Sequence, residues 1–535
     1  MTKKTSKALP VDAPLLHPDH SRPVSRRDFI RQGFAAGTAS VVAGGVFSLF
    51  ASPRDAMAAL SSDISNLASD VGCSLGALTG GAKVPFVCFD LAGGANFAGS
   101  NVIVGATGQN DGLDISTAGY SKLGIPGDMV PGLDSSGIDL LAPSATRNDF
   151  VNDDLGLQFH ADSPMLMGIL ENIGQALGNV DGCVIPARSE NDTGNNPHNP
   201  LYGIIKAGAR GSVVDLIGSR NSDSGGNSVS PMDLMDPEFR PTKVDRPSDV
   251  TGLVDVGNLT AILNDPQDVT AVMESMARIT HKKLKLGTLD TGVSNDEVIK
   301  DLVRCGYLKA ADLADRFAGV PVDPLADSNI LASFGVTSGD ELTDREFRKT
   351  ASVMKMVLNG YSAAGCITMG GYDYHTGDRA TGENRDRRAG RCIGAVLNYA
   401  QRVNKPVMIY VYSDGSVASN GRRDETANNG TQLGGRGKGE WTGDNSSTAC
   451  SFFLVYNPVT KPDPLIAGRQ IGRFSADASV VTSSSAAANN VNLLVNTVLL
   501  NFMSLNGDLG QFPTLFPNHG LGTDIDQYVA FDSLT

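Results

Sequence analysis

Four groups of polar residues in this sequence each follow a short apolar run. They offer carboxylates, hydroxyls, an imidazole and a guanidinium, which are side chains that bind metals, attack esters or hold anions. The carboxyl ends of parallel strands form the ligand crevice of an open α/β sheet, so we expect the groups to share one site. The alternative is ordinary turn chemistry, because Asp, Asn, Ser and Gly also favour loops. The groups are Asp90 to Asn96, Arg188-Ser189, Asp373-Tyr374-His375 and Ser413-Asp414.

A cluster of arginines follows the third group closely. Arg387 and Arg391 are four residues apart on a predicted helix, so they share a face and are candidate substrate-binding residues. The planar guanidinium group matches a phosphate or sulfate anion, so the cluster predicts an anion clamp beside the crevice. The alternative is a solvated helix face on which the arginines pair with Glu383 and Asp386.

Other catalytic templates find little support. The chain contains no H-E-x-x-H, no G-x-x-x-x-G-K-[ST] and no G-x-G-x-x-G motif. Ser189, His375 and Asp373 can be written as a triad, but an Asp and a His two residues apart are not arranged as a triad pair. His198 lies shortly after Ser189 and can reach the same crevice or serve as an ordinary loop histidine.

The segments around these polar groups alternate between predicted strands and predicted helices. Near-continuous apolar runs are typical of strands buried on both faces, and helical periodicity appears between and after them. This alternation predicts an α/β fold with a mostly parallel sheet and helices on both faces. Strands are predicted at 84–90, 183–187, 212–217, 366–369, 406–412 and 449–456, and helices at 269–286, 296–305, 344–360, 386–403 and 490–504.

The N-terminus reads as a separable export signal. Arg26 and Arg27 are followed by an uncharged Ala-, Gly- and Val-rich stretch, and Ala56-Met57-Ala58 is a small-x-small cleavage signal. This order predicts a twin-arginine signal over residues 1–58 and a periplasmic or secreted protein over 59–535; the alternative is an uncleaved anchor. No later segment is apolar enough to predict a membrane span.

The composition of the chain limits the classes of molecule that it is expected to bind. The chain has 535 residues and a net charge of −14, which disfavours nucleic-acid binding through phosphate contacts. A small anionic ligand or a protein partner remains open. The seven cysteines are scattered and suggest neither a zinc ribbon nor a disulfide framework, and those within apolar runs are expected to be buried. A helical insertion is expected at about 260–345 in the single large domain.

The order of these features resembles secreted, twin-arginine-exported proteins related to the alkaline phosphatases and sulfatases. The motifs that carry the resemblance are a strand followed by Gly93-Gly94-Ala95, a strand followed by Arg188-Ser189, then Asp373-x-His375, Ser413-Asp414-Gly415 and Gly430-Thr431. The resemblance covers most of residues 84–455 and implies a three-layer α/β sandwich with long loop insertions. Active members of that superfamily hold divalent metals with Asp and His ligands at strand ends.

The resemblance assigns roles to particular residues. Ser189 is the nearest match to the nucleophile that attacks a phosphate or sulfate ester, and Arg188 before it is a candidate substrate-binding residue. The candidate ligands of one Ca²⁺, Mg²⁺ or Zn²⁺, with a site free of metal as the alternative, are Asp90, Asp373, His375 and Asp414. Unpaired carboxylates in one crevice repel each other, so we expect a metal or an arginine of the 385–391 segment to contact Asp373.

Two departures from the pattern weaken the metal site. Asn96 stands where the family has an Asp, and Gln432-Leu433 stands where it has an Asp-His pair. Phosphoryl and sulfuryl transfer depend on the charge that such ligands hold in place. Asp424, Glu425 or Asp444 can supply another carboxylate. We therefore expect a degenerate metal site with weak or absent hydrolysis; an active metal-dependent ester hydrolase and a non-catalytic exported binding or assembly protein are the alternatives.

Overall fold

The computed structural model describes residues 60–71, 73, 83–190, 196–254, 263, 265–287, 296–317 and 321–534. The predicted export signal, residues 1–58, lies outside them. Within the described ranges no helix has both the length and the apolar character needed to cross a membrane.

Eleven strands form in these ranges, numbered in chain order. They are β1 Phe86–Ala92, β2 Val151–Asn152, β3 Phe159–His160, β4 Val180–Pro186, β5 Val214–Gly218, β6 Thr242–Lys243, β7 Ser362–Gly370, β8 Val407–Tyr412, β9 Val417–Asp424, β10 Lys438–Asp444 and β11 Cys450–Tyr456.

The same ranges contain twelve α-helices. They are α1 Ser62–Asp70, α2 Thr117–Lys122, α3 Pro164–Asn172, α4 Leu201–Lys206, α5 Pro247–Val254, α6 Pro266–Leu286, α7 Asp296–Phe317, α8 Ser328–Ser333, α9 Arg345–Leu358, α10 Ala380–Arg402, α11 Val491–Leu505 and α12 Phe512–Leu515.

Seven strands make one central sheet in the order β4-β11-β8-β1-β7-β5-β6. β1 pairs in parallel with β7 and β8, and β5 pairs in parallel with β7 and β6. β11 is antiparallel to both β8 and β4, so β4 runs in the same direction as β8. The predicted mostly parallel sheet is confirmed, and the four strands that precede the polar groups all end at one edge.

Helices cover both faces of the sheet. Successive side chains of a strand point to opposite faces, so β1 sends Phe86 and Cys88 into one core and Val87 and Phe89 into the other. The first core is closed by α4 and α11, and the second by α3, α9 and α10. The described chain is therefore a three-layer α/β structure, as expected.

The helix that carries the arginines begins earlier than predicted. α10 starts at Ala380 rather than Asp386. Its first turn is capped from elsewhere in the chain, because Asp424 accepts a hydrogen bond from the Arg379 N–H at 3.1 Å. Asp378 accepts another from the Thr381 N–H at 3.0 Å. Apolar periodicity fades over this polar turn, so the sequence pattern alone placed the start too late.

One disulfide forms between Cys73, just after α1, and Cys305 in α7. The scattered spacing predicts no disulfide framework, and it cannot report a single pair that lies 232 residues apart. The bond fastens α1 to a small third core that α1, α6 and α7 share. The cysteines in the predicted apolar runs, Cys88, Cys183, Cys366 and Cys450, are buried and free, as expected.

Candidate functional site

The loops that follow β1, β7 and β8 are in direct contact at the shared edge of the sheet. The Gly93 N–H donates to Asp414 Oδ1 at 2.8 Å, and the Gly94 and Ala95 N–H groups donate to Ser413 Oγ at 3.0 and 2.9 Å. Gly93 has a φ of +129°, and a Cβ on it would lie 2.3 Å from the backbone nitrogen of Asp373. Only glycine fits this wedge between Asp414 and Asp373.

An exposed cluster of three ligand-bearing side chains lies beside this wedge. His375 Nε2 is 2.6 Å from Asp373 Oδ1 and 3.5 Å from Asp444 Oδ1. One ligand atom of each residue lies within 4.8 Å of the others. The cluster unites two of the four predicted ligands with Asp444, one of the carboxylates expected from the later Gly-rich region.

The donor set of this cluster fits a divalent cation. Ligand atoms around a tetrahedral Zn²⁺ are about 3.3 Å apart, since Zn–N and Zn–O bonds are about 2.0–2.2 Å long. The 3.5 Å separation meets that spacing, and the 2.6 Å contact has to open by less than an ångström. Imidazole suits Zn²⁺ better than Ca²⁺ or Mg²⁺, which prefer oxygen ligands throughout.

The hairpin of β9 and β10 fixes Asp444 against the Asp373 loop. The Gly377 N–H donates to the Trp441 carbonyl, and the Trp441 N–H donates to the Asp378 carbonyl, both at 3.0 Å. Asp444 ends β10 three residues after Trp441. Two backbone bonds therefore set the distance between Asp444 and the Asp373–His375 turn.

A buried ionic network contacts the same hairpin through Lys438 and Trp441 of β10. Lys438 of β10, which is completely buried, pairs with Asp162 Oδ2 at 2.9 Å and also contacts Glu383. Glu383 in turn accepts from Arg379 Nε at 2.7 Å, and the Arg379 guanidinium lies 4.3 Å over the Trp441 ring. Every member of this chain of contacts is satisfied by an opposite charge or an aromatic face, as buried charges must be.

Asp386 is a buried acid that lies next to Glu383 of that network. Burial raises its pKa to about 7, and the neighbouring Glu383 adds to the rise. Its carboxyl accepts from Asn101 Nδ2 at 2.8 Å and from the Tyr374 hydroxyl at 3.2 Å. Glu383 and Asp386 therefore face the interior. Of the alternative in which both acids pair with the arginines, only the buried contact of Glu383 with Arg379 is found; Arg387 and Arg391 pair elsewhere.

Asp90 supports a neighbouring loop instead of joining the exposed cluster. Its carboxylate is fully buried and accepts from the N–H groups of Asn227 and Ser228 at 2.7 and 2.9 Å. Burial raises its pKa to about 6, with these hydrogen bonds opposing the rise. Asp414 is also buried, its pKa is raised by desolvation, and it holds the Gly93 loop. Both candidate ligands have a positioning role in the described contacts.

Ser189 pairs with His198 and with neither Asp373 nor His375. Its Oγ lies 2.7 Å from His198 Nε2 and 2.8 Å from the carbonyl oxygen of Asp414. His198 is buried and stacks on Tyr412, and burial lowers its pKa to about 3, so the imidazole is neutral. A carboxylate that would complete a triad is missing, because His198 Nδ1 has no hydrogen-bond partner within the described ranges.

The tautomer of His198 decides what Ser189 can do. A buried N–H without an acceptor is rarer than an unpaired acceptor, so we assign the proton to Nε2. The His198 Nε2–H then donates to Ser189 Oγ, and the Ser189 hydroxyl donates its single proton to the Asp414 carbonyl. In this arrangement no base faces the hydroxyl, and Ser189 ties the loop after β4 to the loop after β8.

The candidate anion-binding arginines lie apart from Ser189. Arg188 is exposed and donates to Ser446 Oγ at 3.3 Å. Arg387 and Arg391 both pair with Glu171, at 2.8 and 3.4 Å. The described residues place no arginine in an ion pair with Asp373, whose contact is His375, so the expectation of a guanidinium partner from the 385–391 segment is not met.

The departures seen in the sequence have structural roles of their own. Asn96 is buried and donates to the Val417 carbonyl at 2.9 Å. Leu433 exchanges backbone hydrogen bonds with the side chain of Asn384 on α10. The loop that carries Gln432 and Leu433 is thus fastened to α10 among the arginines.

The sequence pattern did not single out Asp444 as a member of the cluster or His198 as the partner of Ser189. Asp444 is 69 residues from His375, and only the β9–β10 pairing brings it close. The signal available for His198 was its position between two Asn-Pro turns just after Ser189. Comparison of the chain with family models, with curated proteins and with solved structures finds no match.

Proposed function

We propose that this protein is an exported α/β protein, similar in architecture to the alkaline phosphatases and sulfatases, that binds one divalent cation and has weak or no ester hydrolase activity. The observation that carries the proposal is that one ligand atom each of Asp373, His375 and Asp444 lies within 4.8 Å of the other two. Of the metals considered, Zn²⁺ suits a set of two carboxylates and one imidazole best.

The contacts of Ser189 support the loss of hydrolysis. A serine nucleophile needs a general base that accepts its proton, and the Ser189 proton is directed to the Asp414 carbonyl instead. A bound cation would supply Lewis-acid polarisation of an ester oxygen. Without an activated hydroxyl, the serine-dependent route to ester cleavage is closed.

The disulfide supports export. Stable disulfides persist in oxidising compartments such as the periplasm and are rare in the cytosol. Cys73 and Cys305 are both placed to form one, and Cys73 follows the predicted cleavage site by 15 residues. This agrees with a mature protein that begins after Ala58.

A second candidate function is an active serine-dependent ester hydrolase. The 2.7 Å contact between Ser189 Oγ and His198 Nε2 favours it, because the opposite tautomer would make His198 the base. The two functions differ in the turnover of 4-nitrophenyl phosphate or sulfate, which the second requires and the first does not.

Metal analysis tests the proposal. We expect the exported, purified protein to bind one Zn²⁺ per chain, to melt higher with Zn²⁺, and to lose that increase with a chelator, because binding stabilises only the folded state. Asp373→Asn and His375→Gln should abolish the Zn²⁺ shift. Asp128→Asn, at an exposed aspartate paired with Arg423, should keep it. Wild-type protein without a Zn²⁺-dependent shift would refute the metal centre.

A further inference from the structure

A groove of about 750 Å³ lies along α10 and carries most of the surface arginines of that helix. One wall is the helix, and the other is the loop at Thr431 to Leu433. The groove shares no residue with the cluster of Asp373, His375 and Asp444. Its cationic lining comes from Arg385, Arg387, Arg388 and Arg391.

The groove has more positive than negative charge. Arg387 and Arg391 share the single carboxylate of Glu171, and Arg388 pairs with Asp344 at 2.6 Å. Arg385 donates to the Gly370 carbonyl at 3.1 Å and has no carboxylate within 4 Å in the described part of the chain. Four guanidinium groups therefore face two carboxylates, in a chain whose net charge is −14.

This arrangement costs stability in the empty protein. Like charges three or four residues apart on a helix destabilise it, and Arg387 with Arg391 and Arg388 with Arg391 are two such pairs. Each guanidinium has five N–H donors, and the protein contacts of each use three or fewer. The remaining donors suit an anion with several oxygens.

The opposite wall is held in place before any ligand arrives. Asn384 accepts from the Leu433 N–H at 2.9 Å and donates to the Leu433 carbonyl at 2.8 Å. Arg387 donates to the Thr431 carbonyl at 3.0 Å. A preformed wall reduces the ordering cost of binding. Phe347 and Leu433 add apolar surface to the lining, which suits an organic group attached to the anion.

We propose that this groove binds a tetrahedral oxyanion, the phosphate or sulfate group of an organic ester, through Arg385 and Arg388. Both anions offer the oxygen geometry that a guanidinium contacts with two N–H groups at once. The site goes beyond the proposed metal centre and does not need a bound metal.

Isothermal titration with chelator present tests the groove separately from the metal centre. Phenyl phosphate and phenyl sulfate are the two probes, each compared with the inorganic anion, at low ionic strength to limit screening. We expect wild-type protein to bind at least one ester, and more tightly than the inorganic anion. The ester that binds more tightly identifies the oxyanion as a phosphate or a sulfate group.

Charge-removing variants locate the site. Arg385→Gln should weaken binding about tenfold, the effect of one charge-assisted hydrogen bond, and Arg385→Gln/Arg388→Gln should abolish it. Arg385→Lys keeps the positive charge but loses the planar guanidinium that can donate two N–H groups to one anion, so it should bind with intermediate affinity. Arg240→Gln, at a surface arginine paired with Asp223, should bind as wild type does.

Three results would overturn the proposal. They are absence of ester binding to wild-type protein, unchanged affinity in the folded double variant, and loss of binding in Asp373→Asn, which would place the anion at the metal cluster. Far-ultraviolet circular dichroism establishes that each variant is folded. Failure of the Zn²⁺ experiment with ester binding intact would refute the metal centre alone.

Discussion

The buried network of Lys438, Asp162, Glu383 and Arg379 and the exposed cluster of Asp373, His375 and Asp444 are supported by the same hairpin. In the network, lysine and both acids are at most 1% exposed at their side chains, and each charge faces an opposite charge. In the cluster, the side chains are 35–61% exposed, and two carboxylates converge on one imidazole.

The contrast separates charges that support the fold from charges that are available for chemistry. A buried ion pair costs solvation and is retained only with complete pairing, so removing one member leaves an uncompensated charge. Exposed ionic contacts contribute little to stability because water and salt screen them. Ligand atoms that converge at an exposed position therefore remain free to bind a cation.

Lys438→Met should have the largest effect. The substitution removes the cation that Asp162 and Glu383 share, so Asp162 keeps only Arg436 and Glu383 keeps only Arg379. We expect a loss of about 3–5 kcal/mol in the free energy of unfolding. Urea denaturation measures it. Lys405→Met, at an exposed lysine, is the matched control and should change stability by less than about 0.5 kcal/mol. Equal effects of the two substitutions would show that the buried network contributes no more to stability than an exposed lysine does.

Asp386→Asn should change the pH dependence of stability. The pKa of Asp386 is raised from 3.8 to about 7, so its neutral form stabilises the fold fully below about pH 4. This contribution is lost as pH rises through about 7. An asparagine stays neutral, so the variant should gain roughly 1–4 kcal/mol relative to wild type between pH 4 and 8. Thermal unfolding across that range measures it; a constant difference between the two proteins would contradict the burial of an acid there.

Ser189→Ala should have a small effect on both stability and chemistry. It removes the hydroxyl that connects His198 to the Asp414 carbonyl, and we expect a loss of about 1 kcal/mol. Ser451→Ala, at another buried serine, serves as control. Turnover of 4-nitrophenyl phosphate should stay at the level of wild type. A fall of a hundredfold or more would restore Ser189 as the nucleophile.

His375→Gln should have the smallest effect in the absence of metal. The imidazole is partly exposed, so we expect a change within about 0.5 kcal/mol by the same urea titration. With Zn²⁺ at a hundred times its dissociation constant, wild type should gain about 2.7 kcal/mol that the variant lacks. Marked destabilisation of the metal-free variant would show that the cluster is an ionic support like the network.

Several features could be predicted because local patterns encode them. The strands at Cys366 and at Val407–Tyr412 read as continuous apolar runs, since both of their faces are covered by helices. The convergence of the Gly93, Asp373 and Ser413 loops followed from the parallel sheet, because parallel strands end at one edge.

Other features depend on contacts between distant parts of the chain. The first turn of α10 is capped by the local Asp378 and also by Asp424, which is 45 residues away from Arg379, and periodicity carries no record of the second cap. The partner of Arg387 is Glu171 on α3, where the sequence suggested neighbours on the same helix. A helix face shows which residues lie side by side, but the packing of a second helix decides which charges they meet.

The α/β architecture, the edge of the sheet where polar loops gather and the presence of an arginine-rich helix can all be read from the amino-acid sequence. These properties follow from apolar periodicity and from the geometry of parallel strands, which are local or topological. Tertiary structure alone decided that His375 meets Asp444, that Asp90 and Asp414 hold loops, and that Ser189 faces His198 and a carbonyl. The physical reason is that hydrogen bonds and ion pairs act over a few ångströms, and folding selects their partners from the whole chain.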